Sequence, residues 1–288
     1  MNESNGAGSV VESIETIERL GFELFGVLPG AEIRDDGGAI MFRTGVRVAL
    51  CNGVFKIRWD QSGMEREIER YAAEFASTGT PFMIHTTDAS TPRGIGEALK
   101  RRGFTPEHPA TMFTLDLAPS LEGSPLPAGM SIRRIATRAD MRRYIEIFVA
   151  GFQLPEMIAD VFKNFYDLYG FGPEKNYQSL LLSVDGKPAA IVSLLGARDA
   201  AGVRRGYPDL PDDLCTMMNL TVAPWARGRF LGFRIAREAV KFARACGYRR
   251  LCTTGTPQGM GIYRRAPLTE VGGAQRWTWQ PNRAAKPR

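Results

Sequence analysis

The chain has 288 residues, 44 % of them apolar and 24 % charged. That length suits one large or two medium globular domains, and the composition excludes collagen-like, low-complexity and disordered chains. No apolar run is long enough to span a bilayer, so no membrane partner is expected. The four cysteines (Cys51, Cys215, Cys246, Cys252) fall at no metal-ligand spacing, and His85 and His108 are too few and too isolated for a zinc site. No metal is expected, and the cysteines read as reduced apolar fillers. The polar, acidic N-terminus lacks the regions of a secretory leader, which points to the cytoplasm. Net charge is +6, but residues 1–118 hold 12 Lys/Arg against 17 Asp/Glu, while residues 119–288 hold 25 against 14. Such asymmetry suggests that the second half meets a polyanion or a phosphorylated ligand.

In chain order, residues 10–28 are helical and 37–45 a strand. Residues 46–59 read as two strands turning at Asn52-Gly53. Residues 64–78 are helical, 81–88 a strand, 92–104 a helix and 110–117 a closing strand. Residues 118–129, with three prolines, two serines and two glycines, mark a linker where the charge changes sign. The division expected is 1–118, a linker over 119–129, and 130–288.

The second half opens with a strand (129–135). A helix follows, with Thr137 at its cap and apolar spacing at Met141, Tyr144, Ile145, Phe148 and Val149. An aromatic-rich helix (155–170) precedes a hairpin turning at Asp185-Gly186. A strand (213–224) stops at Pro224. Then Leu231, Ile235, Ala239, Phe242 and Cys246 form one stripe of a helix that ends at Gly247. A strand (248–255), a short helix (258–266) and a last strand (274–281) complete the order βααβββαβαβ, an α/β domain. The first half follows a poorer version of the same plan, which hints at internal duplication.

Between the 213–224 strand and its helix lies Arg227-Gly-Arg-Phe-Leu-Gly232. A helix N-terminus attracts anions through unpartnered N–H groups and the positive end of its dipole. Gly228 and Gly232 would let the backbone approach a phosphate, Arg227 and Arg229 add charge, and Pro224 withholds one N–H. The plain alternative is a strand-to-helix turn carrying surface arginines.

Val222-Ala-Pro-Trp-Ala-Arg-Gly-Arg-Phe-Leu-Gly232 resembles the V-x-P-x-x-R-G-x-G-x-G acyl-CoA signature of GNAT-type N-acetyltransferases. Gln258-Gly-Met-Gly-Ile-Tyr263 is similar to the family's second motif, and the likeness covers residues 129–281. It implies tandem GNAT-like domains, each a mixed, mainly antiparallel sheet flanked by helices, with a degenerate first copy. It also implies acetyl-CoA or another acyl-CoA as co-substrate, its pantetheine in a gap between the fourth and fifth strands of the second domain. Leu220, Thr221 and Val222 would hold that arm, and the N–H groups of Arg227, Gly228, Arg229, Phe230, Leu231, Gly232 and Phe233 the pyrophosphate. Phe230 departs from the pattern, standing at the usual middle glycine, and would be costly if the position needs positive φ. Arg93-Gly-Ile-Gly96 in the first half looks similar but follows the penultimate strand, so it is a decoy.

The reaction implied is direct acyl transfer to the amine of a small molecule, with Tyr263 as the acid for the departing thiolate. The fourth strand reads Thr216-Met-Met-Asn219 and offers no carboxylate base. Asn219 or Thr216 could orient a water, or the acceptor could arrive neutral. Asp212 and Asp213 read as turn residues, and Glu156 and Asp160 as a solvated helix face. Aromatic residues of the second half (Phe148, Phe152, Phe162, Phe165, Tyr166, Tyr169, Phe171, Tyr177) read mainly as core, with some lining an acceptor pocket. A nucleic-acid partner is not expected, since the arginine pairs are scattered and accompany no reader motif. A catalytically silent acyl-CoA-binding scaffold is the alternative. The first domain is left as a lid, a folding partner or a dimer surface, so a homodimer is among the arrangements allowed.

Overall fold

The computed structural model describes residues 4–117, 125–205, 209–255, 259–263 and 267–281. Most of the expected linker thus lies outside the described residues. The first part of the chain forms α1 (Ser4–Glu23), β1 (Glu32–Asp35), β2 (Ile40–Arg43), β3 (Asn52–Phe55), α2 (Met64–Ser77), β4 (Phe82–Thr87), α3 (Ile95–Arg101), β5 (Thr105–Pro106) and β6 (Ala110–Asp116). The rest forms β7 (Met130–Arg134), α4 (Arg138–Phe152), α5 (Met157–Tyr169), β8 (Tyr177–Val184), β9 (Lys187–Gly196), β10 (Leu214–Val222), α6 (Leu231–Ala245), β11 (Arg250–Gly255), α7 (Met260–Tyr263) and β12 (Thr269–Trp279). Two compact units result: residues 1–112 with 254–260 and 270–288, and residues 113–253 with 261–269.

In the first unit β1, β2 and β3 pair antiparallel, β3 runs parallel to β4, and β12 pairs antiparallel with β4. The α2 residues Met64, Ile68, Tyr71 and Phe75 are spaced for one helix face and are all buried, in a core shared with Phe82, Ile84, Leu99 and Trp277. Two features differ from the sequence reading. Asn52-Gly53 is not a turn but the start of β3, because the Asn52 amide is a buried staple. It accepts from the Thr44 N–H and donates to the carbonyls of Val46, Val48 and Pro81. At Gly53 a Cβ would come within 2.7 Å of the Met83 carbonyl oxygen. The second difference is β12, expected to close the second half, which sides with the first unit. Its Trp277 indole donates to Thr86 Oγ1 (3.0 Å) and fits where Gly96 has no Cβ.

The second unit orders its strands β6-β11-β10-β9-β8-β7, with β10 and β11 parallel and β9, β8 and β7 antiparallel in sequence. Thr137 caps α4 by accepting the Asp140 N–H, as its spacing predicts. The hairpin between β8 and β9 turns through Asp185 and Gly186, both at positive φ. The predicted stripe of α6 is buried at Leu231, Ile235 and Ala239, and the helix packs on β8, β9 and β10. α4 packs on β9 and β10. Together they bracket the middle of the sheet and bring the start of α6 to the end of β10.

Candidate acyl-CoA and acceptor site

β10 passes from closed to open along its length. Residues 214–217 are buried and 218–222 half-exposed. The change coincides with the loss of a neighbour. β11 pairs with β10 at Leu214↔Arg250, Cys215↔Leu251 and Thr216↔Cys252, whereas β9 follows the other edge as far as Val222↔Ala190. A side-chain tie, Thr253 Oγ1 to the Met217 carbonyl (3.0 Å), ends the contact with β11. Between Met218↔Ser193 and Thr221↔Ile191, β10 holds one residue more than β9, with Asn219 at φ 55°. This is a β-bulge, and asparagine is among the few side chains that visit the left-handed region readily. Leu220, Thr221 and Val222 therefore lie on a strand edge that its parallel neighbour has left.

From there the chain makes one 3-10 turn over Pro224–Ala226, extends at Arg227, and passes through Gly228 (φ 77°) and Phe230 (φ 56°) into α6. An added Cβ at Gly228 would meet nothing within 4 Å, so backbone conformation, not crowding, asks for glycine there. The first turn of α6, which includes Leu231, Gly232 and Phe233, carries no acidic residue. Its leading N–H groups have no intrahelical acceptor, and the dipole there is positive. Phe230 does hold the positive φ that its side chain disfavours, and the residue is 60 % exposed. Arg229 is exposed. The Arg227 guanidinium donates to the Gly151 carbonyl at the end of α4 (2.8 Å), so its side chain braces the loop. Thr221 packs on the same glycine, where a Cβ would lie 2.5 Å from Thr221 Oγ1.

Asn219 is tied inward. Its Nδ2 donates to Tyr177 Oη (2.9 Å). Tyr177 neighbours Tyr144 Oη (3.5 Å), which bonds Ser193 Oγ (2.7 Å); Ser193 bonds Ser179 Oγ (2.8 Å), and Ser179 bonds Tyr166 Oη (3.0 Å). Burial holds the Tyr144 and Tyr166 phenols well above the ordinary tyrosine range. Sequence reading places these tyrosines in the core, and no pattern could reveal the chain, because its members lie on five separate elements. Phe148, Phe162 and Phe165 are likewise buried, while Phe152 at the end of α4 is 44 % exposed.

The other candidates are placed as follows. Glu156 and Asp160 are exposed. Asp213 is held by Arg250 (Nε to Oδ2, 3.0 Å), which lowers its pKa, and Asp212 pairs with Arg204. Tyr263 closes α7, but its side chain, like Gln258, lies outside the described residues. Among the described residues no three His, Cys, Asp or Glu are grouped to hold a metal, and no helix is long and apolar enough to cross a membrane.

The corresponding place in the first unit is built differently. After β3 the chain bonds the segment beyond β4, Trp59 N–H to the Thr91 carbonyl and Thr91 N–H to the Ile57 carbonyl. α2 then opens with Glu65 and Glu67 in its first turn, which repel an anion. Gly94 (φ 89°) starts α3, and Gly96 makes room for Trp277, which accounts for both glycines of the decoy motif.

No protein-family model matches the chain, and no curated protein matches it in sequence. Solved structures do match it in shape. A GCN5-related N-acetyltransferase from Kribbella flavida superposes with a TM-score of 0.66 at 15 % identity, over 91 % of this chain and 95 % of the other. A GCN5-related N-acetyltransferase from Sphaerobacter thermophilus gives 0.59 at 13 %, over 85 % and 81 %. A tandem GNAT protein from the clavulanic acid biosynthesis pathway gives 0.56 at 14 %, over 90 % and 86 %. The chain has the tandem GNAT fold, with mixed sheets flanked by helices.

Proposed function

We propose that this tandem GNAT-fold chain is an acyltransferase whose second unit binds acetyl-CoA or a related acyl-CoA and passes the acyl group directly to a small-molecule amine. The observation that carries the reading is the run from a bulged, half-exposed strand edge at residues 218–222 into an acid-free glycine turn at the mouth of α6. An acyl-CoA fits this cradle. The main chain of Leu220, Thr221 and Val222 would hold the pantetheine arm. N–H groups from Gly228 to Phe233 would meet the diphosphate, with Arg229 adding charge and Arg227 bracing the turn. The bound group supplies an activated thioester.

The cysteines support transfer without a covalent enzyme intermediate. All four are buried, and burial pushes the Cys51 thiol up to about 12 and that of Cys246 up to about 11. Neither is a ready thiolate near neutral pH. The acidic mouth of α2 and the closed strand ends of the first unit support a silent first copy.

The test is incubation with acetyl-CoA and a panel of small amines, following release of free thiol. Turnover is expected in the wild type, and Tyr263→Phe, removing the acid, should lower kcat about a hundredfold while leaving acetyl-CoA affinity intact. Equal turnover of the two proteins at every pH would remove Tyr263 from the chemistry. Tight binding with no turnover on any amine would assign the chain as a silent acyl-CoA-binding scaffold.

A further inference from the structure

The bulge that opens β10 also places the Asn219 side chain, and that side chain is oriented by a partner. The amide is planar, so with Nδ2 donating to Tyr177 Oη its Oδ1 is left on the side away from Tyr177. Asn219 is half-exposed, on the stretch of β10 that β11 has left, and Tyr177 is buried. Resting on the acyltransferase reading above, we propose that Tyr177 is a positioning residue. It holds Asn219 Oδ1 to accept an N–H of the attacking nitrogen, and the site therefore takes amines that arrive uncharged.

Proton balance leads to the same class. A neutral amine brings the one proton that the leaving thiol needs. As the C–N bond forms and the C–S bond breaks, Tyr263 gives its proton to sulfur and the proton lost by nitrogen restores the phenol, so no further base is required. An ammonium carries one proton more, which a base must take first. Among the described residues, the side chains hydrogen-bonded in turn from Asn219 are Tyr177 of β8 and Tyr144 of α4, followed by Ser193, Ser179 and Tyr166. None is a carboxylate. Glu146, Glu156, Asp160, Lys163 and Asp167 of the two helices are exposed, Asp167 beside Arg138, and the buried Asp140 is paired with Arg133. The hydroxyl chain is no exit for a proton either. It ends at Tyr166, which is 2 % exposed, and burial keeps the Tyr144 and Tyr166 phenols neutral. Its members can orient one another and Asn219 but cannot carry charge to water.

The experiment uses the full chain, acetyl-CoA, and aniline and benzylamine as probes. Aniline is neutral at pH 7 and benzylamine is protonated. Acetylation of aniline should be nearly flat with pH above neutrality, while that of benzylamine should rise about tenfold per pH unit below its own titration. Benzylamine turnover governed instead by an enzyme group titrating near neutrality would overturn the proposal, as would acetyl-CoA binding with transfer to neither probe. Failure of the wild type to bind acetyl-CoA would overturn the acyltransferase reading itself. Tyr177→Phe should lower kcat for aniline about tenfold with the KM for acetyl-CoA unchanged. Asn219→Gly keeps the left-handed backbone and removes only the amide, so it should do the same. The double variant should lose no more than either single one, because both remove the same contact. Multiplied losses, or a Tyr177→Phe protein of lower stability and undiminished kcat, would reduce Tyr177 to a packing role.

Discussion

The Arg227 guanidinium donates across 2.8 Å to the Gly151 carbonyl, joining the glycine turn before α6 to the last turn of α4. The hydrogen bond orients a loop whose backbone must be ready to receive an anion, so its contribution is pre-organisation more than charge. Arg227→Ala should weaken acetyl-CoA binding about threefold, and the loss should persist in about 0.5 M salt, where exposed charges are screened. Arg229→Ala should show a loss that salt removes. Calorimetry at the two salt concentrations separates them, and identical behaviour would mean that Arg227 acts only as a charge.

Phe230 sits at φ 56° and is an exposed residue. Left-handed backbone costs a bulky residue about 1–2 kcal/mol, partly offset in a glycine variant by the greater entropy of its unfolded chain. Phe230→Gly should therefore stabilise the protein by about 0.5–1 kcal/mol and leave acetyl-CoA affinity equal or higher. Urea denaturation reads the first and calorimetry the second. A destabilised Phe230→Gly protein would show that the exposed ring holds the loop in place.

In the first unit, His85 lies directly across the β4–β12 pair from Arg276. Burial first, and then the Arg276 charge, lower its pKa from 6.5 to about 3, and its Nε2 has no hydrogen-bond partner. The native state then refuses a proton that the unfolded chain accepts between those values. Stability should fall as pH drops through 6.5 and continue falling toward 3. The expected loss between pH 7 and pH 5 is about 2 kcal/mol from this residue. His85→Gln should flatten that part of the pH–stability curve. An unchanged slope would show that other groups set it.

The elements of the second unit were largely legible because local rules agree there. Thr137 caps, Asp185-Gly186 turns, and the Leu231–Ala239 stripe buries where its spacing says. The turn between β10 and α6 was legible as well, including the awkward positive φ of Phe230. What escaped was long-range. Asn52-Gly53 reads as a turn by local preference, but four hydrogen bonds to the buried Asn52 side chain and the approach of Met83 to Gly53 override it. β12 carries a clear strand pattern that says nothing about its partner; that choice rests on Trp277 meeting Gly96, 181 positions earlier in the chain. The tie between Asn219 and Tyr177 is of the same kind. Its two residues stand 42 apart, and either alone reads as ordinary packing.

The most direct measurement is titration calorimetry of the full chain with acetyl-CoA, comparing wild type with Gly228→Val. Valine at φ 77° must distort the turn that presents the N–H groups at the head of α6. A saturable one-site isotherm for the wild type, with affinity at least about tenfold weaker in the variant, is the outcome expected. No heat of binding, or an equal affinity in both proteins, would contradict it.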